Sequence, residues 1–507
     1  MSRPPRHFWE VLLATSCVGI ATFAAIFATD GHLGAVAAPA LVVALSYAVI
    51  RLPIRTVLMS RMFLVLVAES PQEKPADGLW QSPLYWLGAL VLDNLNHTLS
   101  LPGLGFAAVD VVALVLAARI LHARMDEWGP HGQDAHPVPR AMMGALLIFS
   151  ATLLALEAWG AVRGGAMGVS LWQIRQMVYV PIFGFFLAEL LQRRRDFELI
   201  GRLVVWSALV KAFNGFFFYY FIVVPGGLAP EYITTHTDAM HFVAAGVIVA
   251  ARWLEAPTVG NLWACAAVVP LMALGTFLND RRLAYVGILG CAAILFLLGP
   301  PSRSRRFLVK AGLLALPLFA LYCSAGWNSR LAMFRPVQSI RTMMETEDDT
   351  SSQSRDIENY NLAQTLKSSP LLGVGLGHPY LEIVRGPPIE SQFALYRYIP
   401  HNSVLWLLSA GGLIGFTALW SVFVVGAYLS ARAFRHASEP LDRAAGLTCL
   451  CTILLYAIQA YGDMGTQSWA TNLMLASAFV VAGQLAIRVG AWPAHSLMAS
   501  PNRLEER

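Results

Sequence analysis

Long apolar runs separated by short polar connections fill most of the chain. Each run has roughly 17 to 25 residues, the length that a helix needs to cross the hydrocarbon core of a bilayer. The pattern therefore predicts an all-α polytopic membrane protein with about 12–14 transmembrane helices. The runs lie at about residues 8–29, 33–50, 82–98, 103–121, 140–160, 169–191, 198–223, 239–254, 260–279, 282–299, 307–324, 401–428, 444–461 and 468–488.

Composition supports this prediction and argues against a soluble protein. Of the 507 residues, 56% are apolar and 13% are charged, whereas soluble domains carry about 25% charged residues. The six cysteines fall within apolar runs, so we predict neither a disulfide framework nor a cysteine metal site. The first run follows Arg3 and Arg6, but its length favours a retained span over a cleaved signal peptide.

The net charge of +5 comes from Lys and Arg clusters between the runs, which indicates membrane topology and no nucleic-acid partner. The positive-inside rule places the clusters at 193–195, 303–310 and 432–443 in the cytoplasm, together with both termini. The stretch 51–80 holds only a short apolar piece, Met62 to Ala68. We expect this stretch to lie at the cytoplasmic interface.

One long connection, from Ala325 to Pro400, then lies outside. It divides the chain into N-terminal spans (1–324), an outer loop (325–400) and C-terminal spans (401–507). Within it, the segment Arg355 to Lys367 predicts an amphipathic helix. The residues expected on its apolar face are Ile357, Tyr360, Ala363 and Leu366.

Three arginines are candidates for binding a phosphate near the outer side. Arg175 lies about six residues into its run, so it sits roughly 9 Å below the outer surface. Arg281 and Arg282 stand at the outer start of another run. A guanidinium binds phosphate bidentately and stays charged at any working pH. The alternative is that Arg281 or Arg282 anchors a helix end or pairs with Asp280.

His401 begins a span in the sequence Pro400-His401-Asn402-Ser403. A helix start favours an anion, and a histidine can take a proton from a hydroxyl near neutral pH. The alternative is that Asn402 or Ser403 caps the helix and His401 is an ordinary interfacial residue.

Other patterns give weaker indications. His236, Asp238 and His241 have a spacing that suits a metal ion, but their mixed depth makes this weak evidence. The glycine run from Pro370 to Gly377 lacks the Lys-Ser/Thr pair of a phosphate-binding loop, so we interpret it as a tight turn. Ionisable residues inside spans need a partner or a function. The remaining ones are Asp93, Asp110, Glu157, Glu189, Lys211 and Asp463.

Three motifs together resemble the O-antigen ligase and polymerase superfamily. They are the Arg282 segment, the Arg355 helix with its PLLGVGLG end, and HNSVLWLLSAGGLIG from His401 to Gly415. The resemblance covers roughly 271–428, and 271–299 would be part of the family core. The chain has Asp280-Arg281-Arg282-Leu283 where many relatives show Ser-Arg-Gly.

The resemblance implies a GT-C-type bundle in the bacterial inner membrane, with its active site facing the periplasm. It implies a glycosyltransferase that uses undecaprenyl-diphosphate-linked glycan as donor and a glycan hydroxyl as acceptor, with no metal or other cofactor. His401 would be the catalytic base. Arg282, Arg175 and Arg281 would bind diphosphate. Asn402, Arg355 and Asp280 would support them.

Three functions remain open at this point. The long outer loop and the number of spans favour a polysaccharide repeat-unit polymerase. An O-antigen ligase acting on lipid A core or a protein would need the same leaving-group chemistry. A flippase for lipid-linked oligosaccharides would usually show repeat symmetry, which the chain lacks. Family members often act beside a flippase and a chain-length regulator.

Overall fold

The computed structural model describes residues 6–28, 40, 43–44, 46–69, 82–94, 106–127, 140–191, 193–228, 233–235, 237–279, 281–299, 303–329, 331, 334, 337–338, 341, 350–386 and 393–493. Helices dominate these residues, and no β-strand occurs among them. The predicted all-α class is confirmed.

The chain forms two units. The first comprises Met1–Gln133 and Phe217–Pro230. Its helices are α1 (Arg6–Ala28), α2 (Ile54–Val67), α3 (Pro83–Val91) and α4 (Ala108–Glu127), with a π-helical turn at Tyr219–Val223.

The second unit comprises Asp134–Phe216 and Glu231–Arg507. Its helices are α5 (Arg140–Val162), α6 (Met167–Arg175), α7 (Tyr179–Leu190), α8 (Arg194–Phe218), α9 (Asp238–Glu255), α10 (Val259–Asn279), α11 (Arg282–Leu298), α12 (Arg303–Gly326), α13 (Thr350–Ser368), α14 (Ser403–His436), α15 (Pro440–Gly462) and α16 (Trp469–Arg488).

Helix α2 lies within the stretch 51–80, whose place at the cytoplasmic interface stays a prediction. It begins at Ile54, well before the short apolar piece, and packs against α4 and α3. Leu58, Met62 and Leu66 are fully buried in this unit. Arg61 is buried with them because its Nη2 donates to the Val109 carbonyl at 2.9 Å. One face of α2 is therefore part of the core of the first unit.

Several predicted spans are shorter or broken. In the described part of the span at 82–98, residues 82–94, the helix is α3, whose nine residues are too few to cross a bilayer. The span at 169–191 is interrupted between α6 and α7. Helix α14 is broken at Gly412, where φ is 57°. Most of the span at 33–50 lies outside the described residues.

Seven described helices are long and apolar enough to cross a membrane. They are α5, α8 with its π-helical extension, α10, α12, α14, α15 and α16. Helices α9 and α11 are shorter, with 18 and 17 residues. The chain is a multi-pass membrane protein, and the count of 12–14 spans stays a prediction.

Helix α16 is the centre of the second unit. It contacts α7, α14 and α15, and 89% of the residues in its most apolar stretch are buried. In the most apolar stretch of α12, by contrast, no residue is buried. Such exposure of apolar side chains is expected of a helix that faces lipid. Small residues allow close packing around α16, because a Cβ at Gly426 would lie 2.5 Å from the Phe479 ring.

The glycine run at 370–377 inserts between α5 and the break in α14. Val374 and Gly375 donate their backbone N–H groups to the carbonyls of Ser409 and Ala410, both at 2.9 Å. Leu413 donates to the Pro370 carbonyl at 2.8 Å. These bonds satisfy polar backbone groups that the helix break exposes. The predicted tight turn is therefore also a packed element of the bundle.

We expect Gly375→Ala to destabilise the protein more than Gly164→Ala. Both glycines have φ of +86°, so an added side chain costs roughly 1–2 kcal/mol at either position. Only at Gly375 would the new Cβ clash, 2.5 Å from Gly160 Cα, whereas Gly164 has open space around it. Overpacking adds about 1–3 kcal/mol. Thermal unfolding of detergent-solubilised protein measures the difference, and equal midpoints would contradict the insertion.

Candidate active site

His401 and Glu358 form the centre of the candidate site. Glu358, on α13, accepts a hydrogen bond from the His401 backbone N–H at 2.9 Å through its Oε2. The same Oε2 lies 3.3 Å from His401 Nδ1. Glu358 is buried, with 8% of its side chain exposed, whereas 36% of the His401 side chain is exposed. When Nδ1 carries the proton, this contact orients the ring and leaves the Nε2 lone pair free for an acceptor hydroxyl.

The environment raises the pKa of His401 above its usual 6.5. Burial is the largest single influence and lowers the pKa, and the positive charge of Arg355 lowers it further. The hydrogen bond and negative charge of Glu358, with the charge of Asp463, outweigh both. The imidazole is thereby a stronger base than a free histidine. The protonated form persists to a higher pH.

Helix α13 docks on the start of α14 through polar contacts. Asn402 caps α14, because its Oδ1 accepts from the Leu405 N–H at 3.0 Å. Its Nδ2 donates to Asn359 Oδ1 at 3.1 Å. The capping role considered for Asn402 in the sequence is therefore present, and it coexists with the His401–Glu358 pair.

The buried face of α13 differs from the predicted one. Glu358, Asn361, Leu362 and Thr365 are buried, whereas Tyr360 is 47% exposed. The polar members are buried because each has a partner. Asn361 Oδ1 accepts from the N–H groups of residues 383 and 384, and Thr365 Oγ1 accepts from that of residue 381. Helix α13 thus fixes part of the loop that leads to His401.

The turn between α15 and α16, residues 462–469, joins the surrounding elements. Arg355 Nη1 donates to the Gly462 carbonyl at 3.1 Å. Ser403 Oγ donates to the Asp463 carbonyl at 3.3 Å. Arg355, on α13, and Ser403, beside His401, therefore contact the same short turn.

Arg281 and Arg282 reach this region at the start of α11. Arg282 is the first helical residue and Arg281 occupies the N-cap position. The next residue, Leu283, packs so closely on Gly462 that a Cβ there would lie 2.6 Å from Leu283 Cδ1. The start of α11 therefore lies beside the carbonyl that accepts from Arg355. Asp280 lies outside the described residues.

Arg175 is the last residue of α6, and its side chain lies against the 462–469 turn. Its guanidinium carbon lies 5.6 Å from the centroid of the Trp469 ring. Gln173, two residues earlier, donates to the Tyr398 carbonyl at 2.6 Å. Gln467 in turn donates to the Gln173 carbonyl at 2.6 Å. The end of α6 is thus tied both to the segment before His401 and to the 462–469 turn.

Lys211, Asp238, His241 and Asp110 have other contacts. Lys211 forms a buried ion pair with Asp238. His241 Nε2 lies 3.1 Å from Ser207 Oγ. His236, the remaining member of the metal candidate, lies outside the described residues. Asp110 Oδ2 accepts from the Ala107 N–H at the start of α4, which is a structural role.

The sequence reasoning missed Glu358, Gln173 and Trp469. Glu358 sits in the helix that was singled out, and its spacing from Asn361, Leu362 and Thr365 is that of one helical face. The sequence prediction selected the apolar face of this helix, and the buried face is mostly polar. For Gln173 and Trp469 the sequence carries no local signal, since their partners come from distant segments.

Glu358→Gln should lower the pKa of His401, because the neutral amide removes the charge that favours the imidazolium. Diethyl pyrocarbonate reacts with the neutral form of the imidazole ring. The rate of His401 modification, measured at a series of pH values by mass spectrometry of peptides, therefore follows the protonation of His401. The midpoint should lie above 6.5 in the wild type and fall in the variant. His436, exposed at the end of α14, should react identically in both proteins. An unshifted His401 midpoint would contradict the pairing.

Comparison with known proteins identifies the segment that holds most of these residues. Residues 267–420 match the family model of O-antigen ligase. They include the start of α11, all of α13, and His401 with the first half of α14, whereas Arg175 and the 462–469 turn lie outside. No curated protein matches the chain. The resemblance to the O-antigen ligase and polymerase superfamily is therefore confirmed over residues 267–420.

Proposed function

We propose that this protein is a glycosyltransferase that moves glycan from undecaprenyl diphosphate to the hydroxyl of an acceptor sugar. The observation that carries the proposal is the His401–Glu358 pair within residues 267–420, the segment that matches the O-antigen ligase family. A partly exposed histidine held by a buried carboxylate is the arrangement that a general base requires. The arginines around the 462–469 turn supply the charge that a diphosphate leaving group requires.

His401 acts as the base in this mechanism. Its Nε2 accepts the proton of the acceptor hydroxyl as the oxygen attacks the anomeric carbon. The new carbon–oxygen bond forms as the bond from the anomeric carbon to the diphosphate oxygen breaks, and that oxygen keeps the electron pair. Attack from the face opposite the diphosphate inverts the anomeric configuration. Proton transfer of this kind contributes about 10²- to 10⁴-fold to a rate.

The arginines stabilise the departing diphosphate. Arg282 and Arg281, at the N-terminus of α11, combine guanidinium charge with the positive end of a helix dipole. Arg175 approaches from α6, and the Trp469 ring orients its side chain. Arg355 supports the site by bonding the turn at Gly462. In this proposal fixed cations take the role that a metal ion has in other transferases.

The site faces the periplasm in this proposal, and the protein resides in the inner membrane. The support is the distribution of Lys and Arg. The clusters at 193–195, 303–310 and 432–443 lie at the helix ends assigned to the cytoplasm, and His401 lies at the other end of α14. The donor is a membrane lipid, so the bilayer both houses the enzyme and delivers its substrate.

Two reactions with different acceptors are consistent with this site. We propose a repeat-unit polymerase, because the outer loop between α12 and α14 is long enough to cover a growing chain. The name of the matched family, O-antigen ligase, supports transfer to lipid A core or to a protein as the second version. Both use the same base and leaving group.

His401→Ala should abolish glycan transfer while the protein still folds and inserts. Purified protein in lipid, given undecaprenyl-diphosphate-linked repeats, should lose about 10²-fold or more of its rate. His436→Ala is the matched control, since His436 lies exposed at the far end of α14. Normal transfer by His401→Ala would overturn the mechanism.

Cells that carry His401→Ala as their only copy distinguish the two acceptors. Accumulation of single lipid-linked repeats without polymer indicates the polymerase, and finished but unattached chains indicate the ligase.

Cysteines in the outer loop should react with an impermeant thiol reagent added from outside. Suitable positions are Gln353, which is exposed, and Ile383, which is 61% exposed. His436→Cys, on the opposite end of α14, should stay protected until the membrane is opened. The native cysteines are free and must first be replaced. Protection at both loop positions would overturn the orientation.

A further inference from the structure

A cavity of about 420 Å³ opens in the second unit at the opposite end of α15 from His401. It is lined by α8, α9, α10, α15 and α16. Helix α15 starts beside the cavity at Pro440 and ends at Gly462 in the candidate active site. Over this length a helix rises about 33 Å, so the cavity and the site belong to opposite membrane surfaces.

The depth of the cavity matches one leaflet of a bilayer. Along α8 its lining runs from Arg194 to Trp206, and along α15 from Leu441 to Thr452. These stretches rise about 18 Å and about 16 Å, which is roughly half of the 30 Å hydrocarbon core. Beyond its charged end the wall is mainly apolar, with Val205, Val249 and Met474 among its residues.

The charged end of the cavity has one cation in excess. Arg194 lies 3.6 Å from Asp442, and Arg202 lies 3.3 Å from Glu198. Arg252, the third arginine in the lining, forms no side-chain hydrogen bond or ion pair with any residue that the structure describes. Two arginines are thus neutralised by neighbouring carboxylates, and the half-buried Arg252 is available to an anion.

The cavity is also open along its side. Trp206 on α8 is 62% exposed, and Gly260 and Ala264 on α10 are exposed as well. All three line the cavity. Within the second unit, an alkyl chain can therefore enter between α8 and α10 without passing the charged end.

The geometry points to a binding site for an anionic phospholipid of the cytoplasmic leaflet. One acyl chain fills the apolar part, and the phosphate accepts hydrogen bonds from the Arg252 guanidinium. A site one leaflet deep, open to the side and carrying one surplus guanidinium suits this molecule. A free phosphate would not use the apolar wall, and a zwitterionic lipid would use the surplus charge poorly. The site is distinct from the His401 region, and only its assignment to the cytoplasmic leaflet rests on the orientation proposed above.

The test is lipid retention by the purified full-length protein, measured by native mass spectrometry. Phosphatidylglycerol and phosphatidylcholine with identical acyl chains are titrated separately. One phosphatidylglycerol should bind about tenfold more tightly than phosphatidylcholine, the effect expected from one charge-assisted contact. Arg252→Gln should remove this preference, and Arg252→Lys should keep most of it.

Two further variants separate the head-group contact from the chain contact. Ala445→Phe places a ring in the cavity and should weaken binding of both lipids about tenfold or more. Arg435→Gln removes one exposed positive charge from the same membrane side and should leave the preference unchanged. A retained preference in Arg252→Gln, or wild-type binding by Ala445→Phe, would overturn the proposal. Displacement of the lipid by millimolar inorganic phosphate would also overturn it, since the chain would then contribute nothing.

Discussion

The hydrogen bond between Glu358 and His401 organises the candidate site. A buried carboxylate is costly unless it is paired, so Glu358 requires α13 to lie against the start of α14. That placement brings Arg355 to the Gly462 carbonyl and Asn359 to Asn402. One pairing therefore aligns α13 with both the start of α14 and the end of α15.

The glycines impose a second constraint on the same region. A helix inside a bilayer can be broken only where its freed backbone groups find other partners. The run at 370–377 provides them for the break at Gly412, and it can approach so closely because its glycines lack a Cβ. The loop that leads to His401 is thus anchored within the bundle, and the position of His401 follows from backbone pairing as well as from Glu358.

The bilayer gives the second unit two chemically different ends. At one end of α15, arginines gather around a short turn near His401, and in our proposal a lipid diphosphate reacts there. At the other end, paired arginines and carboxylates surround an apolar cavity one leaflet deep. The fully buried Lys211 of the same unit is neutralised by Asp238.

The sequence by itself determined the all-α membrane class, most helix positions and the family resemblance of residues 267–420, because hydropathy, loop charge and short motifs are local properties. It also named His401, Arg282 and Arg175 as candidate site residues. Only the tertiary structure decided that Glu358 holds His401, that the buried face of α13 is polar, that one face of α2 is buried and that Trp469 contacts Arg175. These contacts join segments far apart in the chain; Glu358 and His401 are 43 residues apart. A polar residue shows its partner only after packing, since the free energy of burying it depends on what the fold brings within hydrogen-bond distance.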